Sequence, residues 1–145
     1  GGVNLLLVGG PGQNALASKL QGRFPVKFEK DGSFSIGRCS FGGPGVGLTF
    51  TFPLNDAPAN ATGNVGGAIG MVVMGTDAAG LRDALSLGQP TIPPMVRAPY
   101  TNMQPDFVVT GPDFAWKGVG GILAAGFWGN EWEFAREASY THEPC

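Results

Sequence analysis

The chain has 145 residues, enough for one domain, and carries a formal net charge of −2 with 9 basic residues spread along it. Nucleic-acid binding depends on a basic stripe that neutralises phosphates, and the sequence has no such stripe, so we expect no nucleic-acid partner. No apolar run approaches the roughly 18 residues that a membrane span needs, so we expect no membrane association either.

Glycine and proline are abundant, with 25 and 12 residues, but they follow no period and separate clearly apolar runs. This pattern is typical of turns in a tightly folded domain, so we predict a single compact domain over residues 1–145. The chain begins at Gly1 without a methionine, which indicates a processed product or an excised fragment of a longer protein.

The first predicted elements are a strand, a glycine-rich turn and a helix. Residues 3–8 form a short apolar run that resembles a buried strand of a parallel sheet. Residues 15–20 have the composition of a helix, and Asn14 is available to cap it.

A β-hairpin is predicted next, because residues 26–28 and 34–36 alternate in polarity on either side of an Asp-Gly pair. Residues 48–52 alternate with period two and predict a further strand, and residues 53–67 read as a long polar loop.

A second strand, turn and helix follow at residues 68–74 and 77–85, with Thr76 available as the cap. Their likeness to the first unit favours stacked βα units joined by right-handed crossovers. Residues 89–105 are rich in proline and predict an extended connection, and residues 106–110 predict a third short strand.

The last part of the chain is less decisive. Residues 120–128 are apolar and rich in small residues, and their period does not distinguish a strand from a helix. Residues 131–139 predict a helix with a partial apolar face. Together these elements predict an α/β fold, in which a short, mostly parallel sheet is flanked by helices and carries a β-hairpin addition.

Two cysteines, Cys39 and Cys145, suggest a disulfide that ties the end of the chain to its middle. A closed loop of that length would stabilise the fold by ~4–5 kcal/mol in the chain-entropy description. Free thiols, typical of a cytosolic protein, are the alternative. Asn60 begins an N-glycosylation sequon in a polar stretch, so the sequence predicts a secreted, extracellular glycoprotein.

The glycine turn is the first candidate ligand site, because a turn between a strand and a helix exposes N–H groups that can hold an anion or a polar ligand. The glycine spacing of a dinucleotide-binding turn is met nominally by Gly10, Gly12 and Ala15, but Pro11 removes an N–H donor. The acidic residue that such a site needs about 20 residues further on is missing from a second βα strand, because Glu29 falls in the predicted hairpin. No phosphate-binding loop is present. We therefore expect no cofactor and prefer a structural turn, with a ligand site as the alternative at Gly9, Gly10, Gly12, Gln13 and Asn14.

The sequence predicts no catalytic residues and no metal ligands. His142 is the single histidine, no Gly-x-Ser-x-Gly elbow exists, and two cysteines that pair leave too few zinc ligands. A secreted hydrolase acting on carbohydrate or ester substrates through Glu131 and Glu133 remains the alternative, because paired carboxylates suffice for glycoside hydrolysis.

Three tryptophans, Trp116, Trp128 and Trp132, are candidates for a platform on which a carbohydrate or a protein partner could stack. Packing in the core or against another domain is the preferred interpretation for them.

Two stretches carry a resemblance to known proteins. Residues 3–14 resemble the strand, turn and helix that open surface-layer-type domains. Residues 105–113 and 116–133, which include Gly126-Phe127-Trp128-Gly129 and Trp132, resemble the C-terminal end of large secreted fungal proteins. Those proteins carry an upstream α/β-hydrolase domain related to prolyl oligopeptidases and esterases.

The resemblance implies that this chain is an accessory domain and that the catalytic residues belong to the upstream domain. No catalytic residue is therefore assigned to a position of this chain. The function expected from the sequence is therefore a non-catalytic accessory or binding module of a secreted protein. Its expected partners are a carbohydrate or an upstream hydrolase-like domain.

Overall fold

The computed structural model describes residues 3–54, 68–87 and 105–145. Three short α-helices lie among these residues: α1 (Ala15–Leu20), α2 (Ala78–Ser86) and α3 (Phe114–Lys117). The strands of the described chain are β1 (Leu5–Val8), β2 (Val26–Phe28), β3 (Phe34–Ile36), β4 (Cys39–Phe41), β5 (Gly47–Pro53), β6 (Ile69–Gly75), β7 (Phe107–Thr110), β8 (Ile122–Trp128) and β9 (Phe134–Thr141).

The strands form two sheets. The larger has the order β1-β6-β5-β7-β8-β9, in which β1 and β6 are parallel and every other neighbouring pair is antiparallel. The smaller sheet is the antiparallel β2-β3-β4, which confirms the predicted hairpin and extends it by a strand.

The predicted α/β fold, with a mostly parallel sheet flanked by helices, is therefore wrong. The described chain is mostly β, since β5 pairs antiparallel with both β6 and β7 and leaves one parallel pair. The apolar run of β1 is not the predicted buried strand either. It lies at the sheet edge, where Leu6 is 63% exposed.

The core lies between one face of the large sheet and the small sheet. Alternate residues of neighbouring strands share that face, so that Val72 of β6 lies beside Phe50 of β5. Phe24 packs edge-on against Phe50 and Phe52, with ring centroids 5.1 and 4.7 Å apart. Phe34 and Ile36 of the small sheet are fully buried in the same cluster.

Helix α2 packs on the opposite face of the large sheet, and at Gly80 and Gly47 its main chain lies so close to the sheet that no side chain fits between them. A Cβ on Gly80 would overlap the main-chain carbonyl of Val46, and a Cβ on Gly47 would overlap the carbonyl of Gly80. The helix is capped by Asp77, whose carboxylate accepts from the Gly80 N–H at 2.8 Å. Thr76, the predicted cap, instead donates its hydroxyl to the Gly43 carbonyl at 2.7 Å.

The predicted helix over residues 131–139 is also wrong, because these residues form most of β9. The chain turns between β8 and β9 with Trp132 at a φ of 63°, and β9 then runs antiparallel along β8. A Cβ on Gly126 of β8 would overlap the side chain of Ser139, so glycine permits the two strands to approach.

The predicted disulfide is present between Cys39 and Cys145, with their Cα atoms 5.2 Å apart. No helix in the described parts of the chain is long and apolar enough to cross a membrane. The predicted glycosylation site at Asn60 lies outside the described residues, as does most of both long predicted loops, so these remain predictions.

Candidate functional site

A cleft opens where β1 and β6 end. Because these two strands are parallel, their carboxyl ends meet at one edge of the sheet. The glycine turn that follows β1 forms one wall, and the hairpin turn at residues 29–32 forms the other. The cleft has a volume of about 490 Å³, within the usual range for small-molecule sites.

The glycine turn is rigid because its polar groups bond to one another. Gly9 has a φ of 97°, a conformation that suits glycine, and its N–H donates to the Val73 carbonyl at 2.8 Å. The N–H groups of Gln13 and Asn14 both donate to the Gly10 carbonyl, at 3.0 and 2.9 Å.

Asn14 completes the turn and confirms the predicted helix cap. Its Oδ1 accepts from the N–H groups of Leu16 and Ala17 at 2.9 and 3.1 Å, while its Nδ2 donates to the Val8 carbonyl at 3.1 Å. The donors that would hold an anion at Gln13, Asn14, Leu16 and Ala17 are thus already used within the protein.

The cleft instead offers neutral polar side chains. Gln13, Ser18 and Gln21 line it, and their side-chain amides and hydroxyl make no hydrogen bond to another described residue. Phe28 and Met74 add apolar surface beside them. The amide and hydroxyl groups can both donate hydrogen bonds to a ligand hydroxyl and accept hydrogen bonds from it.

The charge around the cleft is slightly negative. Its lining includes Glu29, Lys30 and Asp31 from the hairpin turn. The Ser33 hydroxyl and N–H both donate to Asp31, at 2.6 and 2.9 Å, and they hold the pKa of that carboxyl below its ordinary value. Asp31 therefore stays ionised at neutral pH, and the two carboxylates outnumber the single ammonium.

Compared with known proteins, the chain matches no family model, no curated protein and no solved structure.

The structure places the three tryptophans in different surroundings. Trp128 is 8% exposed, stacks on Phe107 with ring centroids 4.7 Å apart, and donates its indole N–H to the Thr51 carbonyl at 2.8 Å. Trp132 is half-buried and packs against the same core. Trp128 is therefore a core residue, and its ring is not available to stack on a carbohydrate or a protein partner at the surface.

Trp116 alone among these three presents a largely exposed ring, at 72%. The Lys117 ammonium lies 4.8 Å from the centroid of that ring and also pairs with the Asp113 carboxylate at 3.0 Å. These contacts orient the side chains around Trp116 on the surface of α3.

The carboxylate of Glu133 shapes the turn between β8 and β9. Its Oε2 accepts from the Glu131 N–H at 2.8 Å, and its main-chain oxygen accepts from the Gly129 N–H at 2.8 Å. Both glutamates are exposed. Among the described residues, no three histidine, cysteine or acidic side chains come together as a metal site would require.

Of the predicted ligand residues, Gly10, Gly12 and Gln13 line the cleft. Sequence reasoning missed Ser18, Gln21 and the hairpin turn as parts of the same site. The Asp-Gly pair predicted that hairpin, but no local signal placed it against the glycine turn, because only the packing of the two sheets brings them together.

Proposed function

We propose that this chain is a non-catalytic binding module of a secreted protein, and that the cleft receives a neutral, hydroxyl-rich ligand such as a carbohydrate. The observation that carries the proposal is the set of unengaged side chains around a volume of about 490 Å³, namely Gln13, Ser18 and Gln21.

The chemistry of the lining favours a neutral ligand over an anion. Side-chain amides and hydroxyls both donate and accept hydrogen bonds, as sugar hydroxyls do. The Phe28 ring beside them offers an apolar surface to the C–H face of a sugar. The excess of carboxylates from Glu29 and Asp31 over Lys30 repels an anionic ligand.

Secretion is supported by the disulfide, which is consistent with an extracellular protein. We further propose glycosylation at Asn60 and attachment to an upstream hydrolase-like domain, as the resemblance of residues 105–133 implies. The alternative, hydrolysis through Glu131 and Glu133, has less support because the Glu133 carboxylate is engaged in a turn.

Isothermal titration tests the proposal, with neutral oligosaccharides of glucose, N-acetylglucosamine, mannose and xylose as probes and inorganic phosphate as the anionic comparison. We expect saturable binding of at least one oligosaccharide. Gln13→Ala and Gln21→Ala should each weaken it about fivefold, since one ligand hydrogen bond contributes on the order of 1 kcal/mol. Asn130→Ala, which removes an exposed amide outside the cleft, should bind like the natural protein.

Binding that falls equally in Asn130→Ala and Gln13→Ala would overturn the cleft as the site, and so would binding of phosphate alone. The non-catalytic part is tested by incubating the same oligosaccharides and simple aryl esters with the protein. Turnover that Glu131→Gln abolishes would overturn it in favour of the hydrolase.

A further inference from the structure

A second concave surface lies beside the disulfide, far along the chain from the glycine turn. It encloses about 530 Å³ and is lined by Gly37, Arg38, Phe134, Arg136, Glu137 and Cys145. Arg38 comes from the turn between β3 and β4 of the small sheet, and Arg136 comes from β9 of the large sheet, so each sheet contributes one guanidinium group.

The pocket is held in shape by three contacts. The disulfide fastens Cys145 to Cys39, the neighbour of Arg38. One N–H of Arg136 donates to the main-chain oxygen of Cys145 at 3.3 Å. Phe134 lies so close to Gly37 that a Cβ there would be 2.7 Å from its ring, and Gly37 has a φ of 59°.

The side chains that line the pocket are more basic than acidic. Neither Arg38 nor Arg136 forms an ion pair with another side chain that the structure describes. The acidic side chain in the lining is Glu137, so two basic side chains face one acidic side chain, in a chain whose side chains sum to a formal net charge of −2. Guanidinium groups present paired N–H donors that fit two oxygens of one oxyanion.

A smaller hollow of about 220 Å³ continues from this pocket along β9. It shares Phe134, Arg136 and Cys145 with the first and adds the hydroxyls of Ser139 and Thr141 and the ring of His142. The Ser139 hydroxyl already donates to the Ala135 carbonyl at 2.6 Å, whereas the Thr141 hydroxyl and the His142 ring can also donate to an oxyanion, so the two hollows together form one groove.

We propose that this groove, defined by Arg38, Arg136 and the disulfide-held Cys145, binds an oxyanion such as a sulfate or carboxylate group. The site is separate from the cleft of the proposed function, and the two share no lining residue. The excess of basic over acidic side chains draws the anion to the groove, and the two guanidinium groups hold its oxygens.

Titration of the ¹⁵N-labelled protein with sodium sulfate and with sodium acetate, at constant ionic strength held by sodium chloride, tests the site. We expect saturable chemical-shift changes at Gly37, Arg38 and Arg136. Stronger binding of sulfate would identify a tetrahedral oxyanion as the ligand group, and stronger binding of acetate would identify a carboxylate.

Arg38→Gln and Arg136→Gln should each weaken binding by tenfold or more. Arg82→Gln removes the same charge from the exposed surface of α2 and should leave the affinity unchanged. All of these substitutions are at exposed positions, and a circular dichroism spectrum checks that each variant is folded. Equal weakening by Arg82→Gln, or no saturation by either anion, would overturn the proposal.

Discussion

The Gly45 N–H donates to Oδ2 of Asp77 at 2.8 Å, which fastens the loop before β5 to the first turn of α2. The other oxygen of the same carboxylate, Oδ1, caps the helix by accepting from the Gly80 N–H. One side chain thus joins two segments that are distant in sequence, at the end of the sheet where the cleft opens. These bonds, with the Gly80 N–H as the larger cause, hold the pKa of Asp77 below its ordinary value.

Asp77→Asn should therefore change how stability depends on pH. A carboxyl whose pKa is lower in the folded state stabilises the fold above its unfolded pKa of about 4, and that stabilisation is lost as pH falls through the folded value. We expect the urea midpoint of the natural protein to fall between pH 5 and pH 2, and to fall less in Asp77→Asn. Parallel pH profiles for the two proteins would contradict this.

Gly80→Ala should destabilise the protein although it lies inside a helix. In an isolated helix, alanine would be favoured by about 1 kcal/mol. Here the added Cβ overlaps the main-chain carbonyl of Val46, which cannot rotate away, so we expect a cost at the upper end of about 1–3 kcal/mol, which exceeds the helix gain. Gly22→Ala is the control, because a Cβ there meets nothing within 4 Å. Urea denaturation measures both, and equal stabilities would show that α2 sits less closely on the sheet.

Trp128→Phe should cost about 1–3 kcal/mol of unfolding free energy, because it leaves the Thr51 carbonyl without its indole donor. Trp116→Phe should change stability by less than about 0.5 kcal/mol, because that side chain is mostly exposed. Chemical denaturation of the two variants gives the comparison. A larger loss of unfolding free energy in Trp116→Phe than in Trp128→Phe would contradict the exposed position of Trp116 on α3.

Replacing both cysteines by serine should lower the unfolding free energy by up to ~4–5 kcal/mol, because the bond closes a long loop in the unfolded chain. The two cysteines are 106 residues apart in sequence. Urea denaturation of the natural and double-serine proteins measures the difference. Intact mass after alkylation without reductant checks that the disulfide is formed. Two alkylated thiols would show that it is not.

Local patterns predicted much of the fold correctly. Asn14 caps α1 as its residue type and position indicate, and the Asp-Gly pair closes the hairpin of β2 and β3. The apolar runs predicted β5, β6 and β7 within a residue or two of their ends. These features depend on near neighbours in sequence, which is why a sequence reveals them.

Strand order and the nature of β9 depend on distant contacts and were not predictable in this way. The residues of β9 include good helix formers such as Glu137 and Ala138, but β8 offers an open edge with which they pair. Likewise, the resemblance between the two strand, turn and helix units predicted a parallel sheet. The antiparallel β5 between β6 and β7 has no local signature.

The candidate site was predictable only in part for the same reason. Gln13 belongs to a turn that its own neighbours define, whereas Gln21 and the hairpin turn reach the cleft through tertiary packing. The preferred interpretation of Trp128, packing in the core, agrees with its stack on Phe107.

The most direct test of the binding cleft is a ¹⁵N-resolved NMR titration of the natural protein with the tightest-binding neutral oligosaccharide. The proposed function predicts saturable shifts confined to the glycine turn around Gly10 and Gln13, to Gln21 and to the hairpin turn around Gly32. Shifts confined to the surface around Trp116, or no shifts at any residue, would contradict it.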